Sequence, residues 1–426
     1  AFSPSPLPRR GAVKIGTMLS PSRSATLALA LFFSTADAFS PHHGRIASVP
    51  HSRRQVVGVS RGPPSIFVST TADADADNVV AEEEDASINS AIAQQCEVLI
   101  LDHLNINHEK GRQDALKAFY FDFLGCAIDP RKYENYVAGS KTLWANIGMQ
   151  QFHLPEGKPA AQVFDGVITL VYDDLEVLME RYNEYLDGDD KFAPLRETEF
   201  LVGVVDDMMM VTDPWGSQFV ILSSDDPVED RAAHVGAQPI LEGHDPSEGL
   251  VMEDLTAYVN HGANLQGIGR FYEYVLGAPT IPDLSSDQSI SVAMGERQTI
   301  TFQYHPDGPD AEVAHYEYSL DPKEGGEASS LPFYPSNHGP HISLYVTNLS
   351  HAYKMAEKLG ALYVNPRFKR RAYTEEEAID QCMFRLMDIV DPLDEEREVI
   401  VSLEHEVRSA KTKDGKKYKS CPLLDV

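Results

Sequence analysis

Leu101-Asp-His-Leu-Asn-Ile-Asn107 followed by Ala118-Phe-Tyr-Phe-Asp-Phe-Leu-Gly125 decides the fold, because the pair occurs twice. Its second copy is Asp254-Leu-Thr-Ala-Tyr-Val259 followed by Gly269-Arg-Phe-Tyr-Glu-Tyr-Val-Leu-Gly277. Each copy opens with an alternating run that reads as a strand. Each then gives a Phe-Tyr, an apolar pair and a glycine. Leu116, Phe119, Tyr120 and Phe123 fall at i, i+3, i+4 and i+7, one apolar helical face. Gly125 and Gly277 stand where a helix ends on a left-handed residue. The unit is therefore strand, helix, glycine stop, further strands.

A second kind of unit also occurs twice. Val167-Ile-Thr-Leu-Val-Tyr172 and His341-Ile-Ser-Leu-Tyr-Val346 are alternating strands. Each runs into a helix opened by Asp, Thr, Asn or Ser, the side chains that cap helix starts. The first closes on Asp213-Pro-Trp-Gly216, a turn between two apolar strands. The other closes on Phe384 to Pro392 and Glu398 to Leu403, with a longer turn. Four units in the order first, second, first, second make two domains of two modules each.

This pattern resembles the vicinal-oxygen-chelate superfamily, which includes glyoxalase I, extradiol dioxygenases and bleomycin-resistance proteins. The resemblance covers residues 97–408 and implies an α+β fold of tandem glyoxalase-like domains built from paired βαβββ modules. The expected boundaries are 97–224 and 250–408 for the domains. A polar, turn-rich linker occupies 225–249, and a lysine-rich tail, read as solvated, occupies 409–426.

Residues 1–96 read as an address. Met18 to Arg23 is a short basic start, Ala25 to Phe33 an apolar core, and Ala36-Asp-Ala38 a small-residue cleavage site. Phe39-Ser-Pro then opens a stretch rich in Ser, Arg and His, without acid until Asp73. This resembles the two-part presequence of algae with secondary plastids and implies plastid localisation, with secretion as the alternative. Asp73 to Asp85 is an acidic linker. Residues 1–96 are charge-balanced, so the net charge of −29 sits in the remainder. Such a surface repels nucleic acid and anionic lipid, so neither is an expected partner; the resemblance implies a small-molecule substrate. A homodimer is compatible with the fold. The four cysteines form no C-x-x-C pair, which points to reduced core residues.

The resemblance implies a divalent metal (Zn, Ni, Mn or Fe) held by His, Glu or Gln on the first and last strands of each module. A divalent ion with open positions acts as a Lewis acid on vicinal oxygens. His103 and His153 match two such positions in the first domain, while Gly166 and Val220 stand where two more ligands belong. In the second domain Asp254 (or Glu253), Gln303, His341 and Glu404 make an oxygen-rich set, with Glu404 as the base and Glu398 as its alternative. The second domain is thus the expected active half. Arg367-Phe-Lys-Arg-Arg371 reads as a solvated loop, with a carboxylate clamp as its alternative. Met208-Met-Met210 reads as core filling. The implied chemistry is lactoylglutathione-lyase-like. The alternatives are extradiol or keto-acid dioxygenase chemistry and a non-catalytic small-molecule binder.

Overall fold

A computed structural model describes residues 96–157, 160–205, 207–225, 238–319 and 334–424. The segments expected to form a leader and an acidic linker lie outside the described residues. Four modules follow in chain order. Module I has β1 (Val98–Asn105), β2 (Ala127–Ile128), β3 (Leu143–Ile147) and β4 (Gln150–Leu154). Module II has β5 (Gly166–Tyr172), β6 (Leu201–Val205), β7 (Met208–Thr212) and β8 (Gln218–Ser223). Module III has β9 (Gly249–Val259), β10 (Ser289–Ala293) and β11 (Thr299–Tyr304). A two-residue antiparallel pair, β12 (Tyr318–Ser319) with β13 (Ser336–Asn337), precedes module IV. Module IV has β14 (His341–Val346), β15 (Leu362–Tyr363), β16 (Met383–Val390) and β17 (Val399–Ser409). In each module the first and last strands run parallel, because the module helix carries the chain back over the sheet.

The fold class is the α+β arrangement of paired βαβββ modules. The pairing of modules is not the one that sequence order suggests. Module I joins module IV in an eight-stranded sheet, β15-β16-β17-β14-β1-β4-β3-β2, through antiparallel β1 and β14. Module II joins module III in a seven-stranded sheet, β10-β11-β9-β5-β8-β7-β6, through antiparallel β5 and β9.

Neighbouring modules are instead held together by their helices. The module I helix, Gln113–Lys117 continued by a π-helical turn over Ala118–Phe123, buries Leu116, Phe119, Tyr120 and Phe123. Phe119 meets Phe219 of β8 at 5.4 Å between ring centroids. The module III helix, Leu265–Leu276, docks on module IV, where Tyr272 reaches His405 of β17 through a 2.5 Å hydrogen bond. Each half of the chain therefore shares a helical core, while each sheet is built across the halves.

Asn348 caps the module IV helix with its side-chain oxygen, as expected, whereas the module II helix, Glu176–Asp187, starts after Leu175 without a side-chain cap; Asn264 caps the module III helix. Cys96, Cys126, Cys382 and Cys421 are free and buried, and Met209 and Met210 are core residues. The tail departs from the solvated end expected of it: Tyr418 and Cys421 are buried against Ile100, Tyr345 and Cys382. Two aromatic or sulfur side chains outweigh the lysines around them. No helix among the described residues is long and apolar enough to cross a membrane.

Gly277 and Gly360 both end helices with positive φ, +64° and +74°. A Cβ on Gly277 would lie 1.8 Å from the backbone oxygen of Cys96, whereas one on Gly360 meets nothing. Gly360→Ala should cost about 1 kcal/mol for the left-handed backbone alone. Gly277→Ala should cost at least twice that in urea unfolding, because two backbones must separate. Equal costs would show that the Cys96 contact does not constrain the chain.

Candidate functional site

At the centre of the eight-stranded sheet, β4, β1, β14 and β17 lie side by side, and their registers fix which residues share a face. His103 is opposite Gln151 and Ser343. Asn105 is opposite His153 and His341, and His341 is opposite Glu404. Directly paired residues point the same way, so these residues and Glu406 line one face. The alternate residues Leu104, Phe152, Ile342, Leu344 and His405 are buried on the other. A register shift between Leu101 and His103 swings Asp102 beside the His103 ring.

The polar face is almost wholly buried and densely bonded. His103 Nδ1 lies 2.8 Å from Asp102 Oδ2 and donates to it. The His103 ring stacks on His153 at 3.6 Å with the planes 26° apart, and His153 stacks in turn on Trp144. His153 Nε2 lies 3.1 Å from Gln151 Oε1, and Gln151 donates to Asp129 and Asn146. His341 stands edge-on to His103 at 5.8 Å, with Nε2 3.8 Å from Glu406. Glu404, 1% exposed, accepts from Asn337 at 2.8 Å, from Asn365 at 2.9 Å and from Arg385. Arg385 also donates to Glu406, which takes a second bond from Arg408 at 2.6 Å.

Burial sets the protonation states. It lowers His103, and it lowers His153 and His341 well below the usual imidazole range, aided by the nearby arginines. All three are neutral at pH 7. Burial alone would raise Glu406, but Arg385 and Arg408 together pull it well below the carboxylate range.

Against this face lies a cavity of about 100 Å³, lined by Asn105, Asn107, His341, Arg367, Phe368 and Glu404 among others. Its volume is that of about three liquid waters, or of a three-carbon acid. Arg367, the alternative clamp of the basic loop, stands at this cavity and donates to the Asn337 carbonyl. Asn337 ends β13, and Gly339 lies in the short connection from β13 to β14.

The seven-stranded sheet carries an internal comparison. Gln150 Oε1 accepts from Met252 N at 3.2 Å, and Gln298 Oε1 accepts from Leu101 N at 3.1 Å, so modules I and III are related. Carried along the registers, His103, His153, His341 and Glu404 correspond to Asp254, Thr301, Val167 and Gln218. Asp254 is already satisfied: the hydroxyls of Thr256, Thr299 and Thr301 all donate to it. Burial raises its pKa, and these bonds pull it partly back.

The four residues expected to form one site are thus split. Asp254 and Gln303 lie in the seven-stranded sheet, and His341 and Glu404 in the eight-stranded one. His103 and His153, assigned to the first domain, join the latter pair, because the first module faces the last. Glu398 is exposed in the turn before β17, and Glu253 occupies the bulge position matching Asp102. In module II the matching positions are Val167 and Gln218 rather than Gly166 and Val220. Arg385, Asp102, Asn337 and Asn365 were not foreseen. Arg385, set among apolar residues of a strand, was the one sequence signal among them.

Three neutral imidazoles and a carboxylate are suitable metal donors by type. Their arrangement is not. A metal lies in the plane of each imidazole it binds, so the stacked His103 and His153 rings cannot share one. Every oxygen of Glu404 and Glu406 is held by a protein donor. Among the described residues, no three His, Cys, Asp or Glu are arranged to hold a metal ion.

Neither a known protein family nor a curated protein sequence matches this chain. Solved structures similar to it include glyoxalase I from Zea mays, at 12% identity over 74% of this chain and 94% of that chain, with a TM-score of 0.39. They also include 2,2',3-trihydroxybiphenyl 1,2-dioxygenase from Sphingomonas wittichii, at 14% identity over 74% of this chain and 91% of that one, with a TM-score of 0.22. A third is the cppA protein of Streptococcus pneumoniae, at 10% identity over 74% and 98%, with a TM-score of 0.35. These likenesses are distant and carry no activity across to this chain.

Proposed function

We propose that this glyoxalase-like fold, of the vicinal-oxygen-chelate type, binds a small oxygen-rich metabolite in the cavity between modules I and IV. The observation that carries the reading is the lining itself. Asn105, Asn107 and Asn337 offer amide donors and acceptors, His341 a neutral imidazole, Arg367 a cation and Glu404 a carboxylate, around about 100 Å³. Polar groups converging on a small buried space orient a ligand by hydrogen bonds. A short hydroxy or keto acid matches both the volume and the donors, with Arg367 for its carboxylate. The neutral His341 can exchange a proton with such a ligand, which leaves an acid–base reaction open to the site.

The donor types at His103, His153, His341 and Glu404 favour a second reading, a metal-dependent lyase or dioxygenase, but the stacked rings and the bonded glutamates weigh against it. Thermal-shift and calorimetric titration with lactate, glycerate and pyruvate tests the first reading. His341→Ala or Asn105→Ala should weaken binding by about 10-fold or more, the worth of one buried hydrogen bond to a charged ligand. Asp254→Ala, in the other sheet, should leave it unchanged. Binding that follows Asp254 and ignores His341 would place the site in the wrong sheet.

A further inference from the structure

The buried charges at the site have an arrangement that the small-molecule reading does not explain. Glu404 and Glu406 stand two residues apart on β17 and face the same way. Arg385 of β16 is directly opposite Glu406. Its guanidinium forks, with Nη1 on Glu404 and Nη2 on Glu406. The side chain is buried, and its cationic carbon lies 4.0 Å over the Phe368 ring. We propose that Arg385 is an internal cation that occupies the role of a divalent metal, so that the module I–IV site is metal-independent by construction.

Three observations carry this. The fork engages one oxygen of each glutamate, and Asn337, Asn365 and Arg408 engage the others. Neither glutamate has an oxygen left without a protein donor. The charges also close: Asp102, Glu404 and Glu406 face Arg385 and Arg408 inside, with Arg367 at the cavity. A divalent ion would leave this cluster with excess positive charge, which is costly to bury.

The third observation comes from the sister sheet. There Val220 takes the place of Glu406 and Gln218 that of Glu404, and the residue opposite Val220 is Met210. Where the glutamates are absent, the arginine is absent as well. Arginine and glutamates thus come and go together within one chain, as they must if the guanidinium exists to hold the carboxylates. A planar guanidinium suits two carboxylates better than a lysine point charge does.

The test is metal binding by the full chain, read independently of any organic ligand. Elemental analysis and titration with Ni²⁺ and Zn²⁺ should find no stoichiometric site in the wild type. Arg385→Met frees one oxygen of each glutamate, Glu404 Oε1 and Glu406 Oε2, beside His341 and should create a site for about one ion per chain, lost again when His341→Ala is added. The pair Arg385→Met with Glu406→Val, which copies the sister sheet and keeps the charge balanced, should fold and hold no ion, because one of the two carboxylates is gone. A saturable wild-type site lost on Glu404→Gln overturns the proposal, whatever the variants do. So does a folded Arg385→Met variant that gains no metal.

Discussion

Arg385→Ala should destabilise the protein by about 3–5 kcal/mol, the cost of leaving buried charges without their partner. Two glutamates lose a donor at once, since Arg385 bonds both Glu404 and Glu406. Glu406 keeps Arg408 and Glu404 keeps two amides, so the loss is large without being total. With total stabilities of about 5–15 kcal/mol, such a variant would approach the threshold of folding. Arg270→Ala is the control. Arg270 also bonds a carboxylate, Asp391, but is 38% exposed, and pairs of that kind contribute about 0–1 kcal/mol. Urea unfolding followed by circular dichroism measures both. Similar losses for the two variants would mean that the Arg385 fork is no stronger than a surface pair.

Acid should begin to destabilise the protein just below pH 6.5, with Asp213, which burial raises to about 6, acting in the opposite direction. Burial holds His103, His153 and His341 below their ordinary value, and it lowers His405 to about 4. In the unfolded chain each takes up a proton near pH 6.5. Between that pH and the lower folded values, the unfolded state binds more protons than the folded one, so stability falls as pH falls. Each such histidine contributes a slope of about 1.4 kcal/mol per pH unit, and four act in the same direction. Glu406 adds its own loss at lower pH: its folded pKa is depressed, so its stabilisation is present above the unfolded value and disappears as pH drops through the folded one. Melting temperatures between pH 7.5 and 5 should fall steeply. A flat profile would mean that the imidazoles are protonated, or solvated, in the folded protein. His341→Gln should make the profile shallower.

Much of this was readable from alternation and helical spacing. Leu116, Phe119, Tyr120 and Phe123 pack inward as their periodicity requires. His103, His341 and Glu404 sit on polar faces of strands, because period two leaves no choice once a strand is assigned.

Pairing between strands was a different matter. A strand's sequence states which of its faces is polar. It does not state which distant strand will lie against it, because any antiparallel partner with the same alternation satisfies the same hydrogen bonds. The amino-acid sequence by itself therefore determined four modules, their helices and the residues available to a polar face. Only the tertiary structure decided that β1 meets β14, which gathers His103, His153, His341 and Glu404 and leaves Asp254 and Gln303 in the other sheet. The physical reason is that helix packing ties module I to II and module III to IV, while the free edges of their first strands are completed across the two halves of the chain.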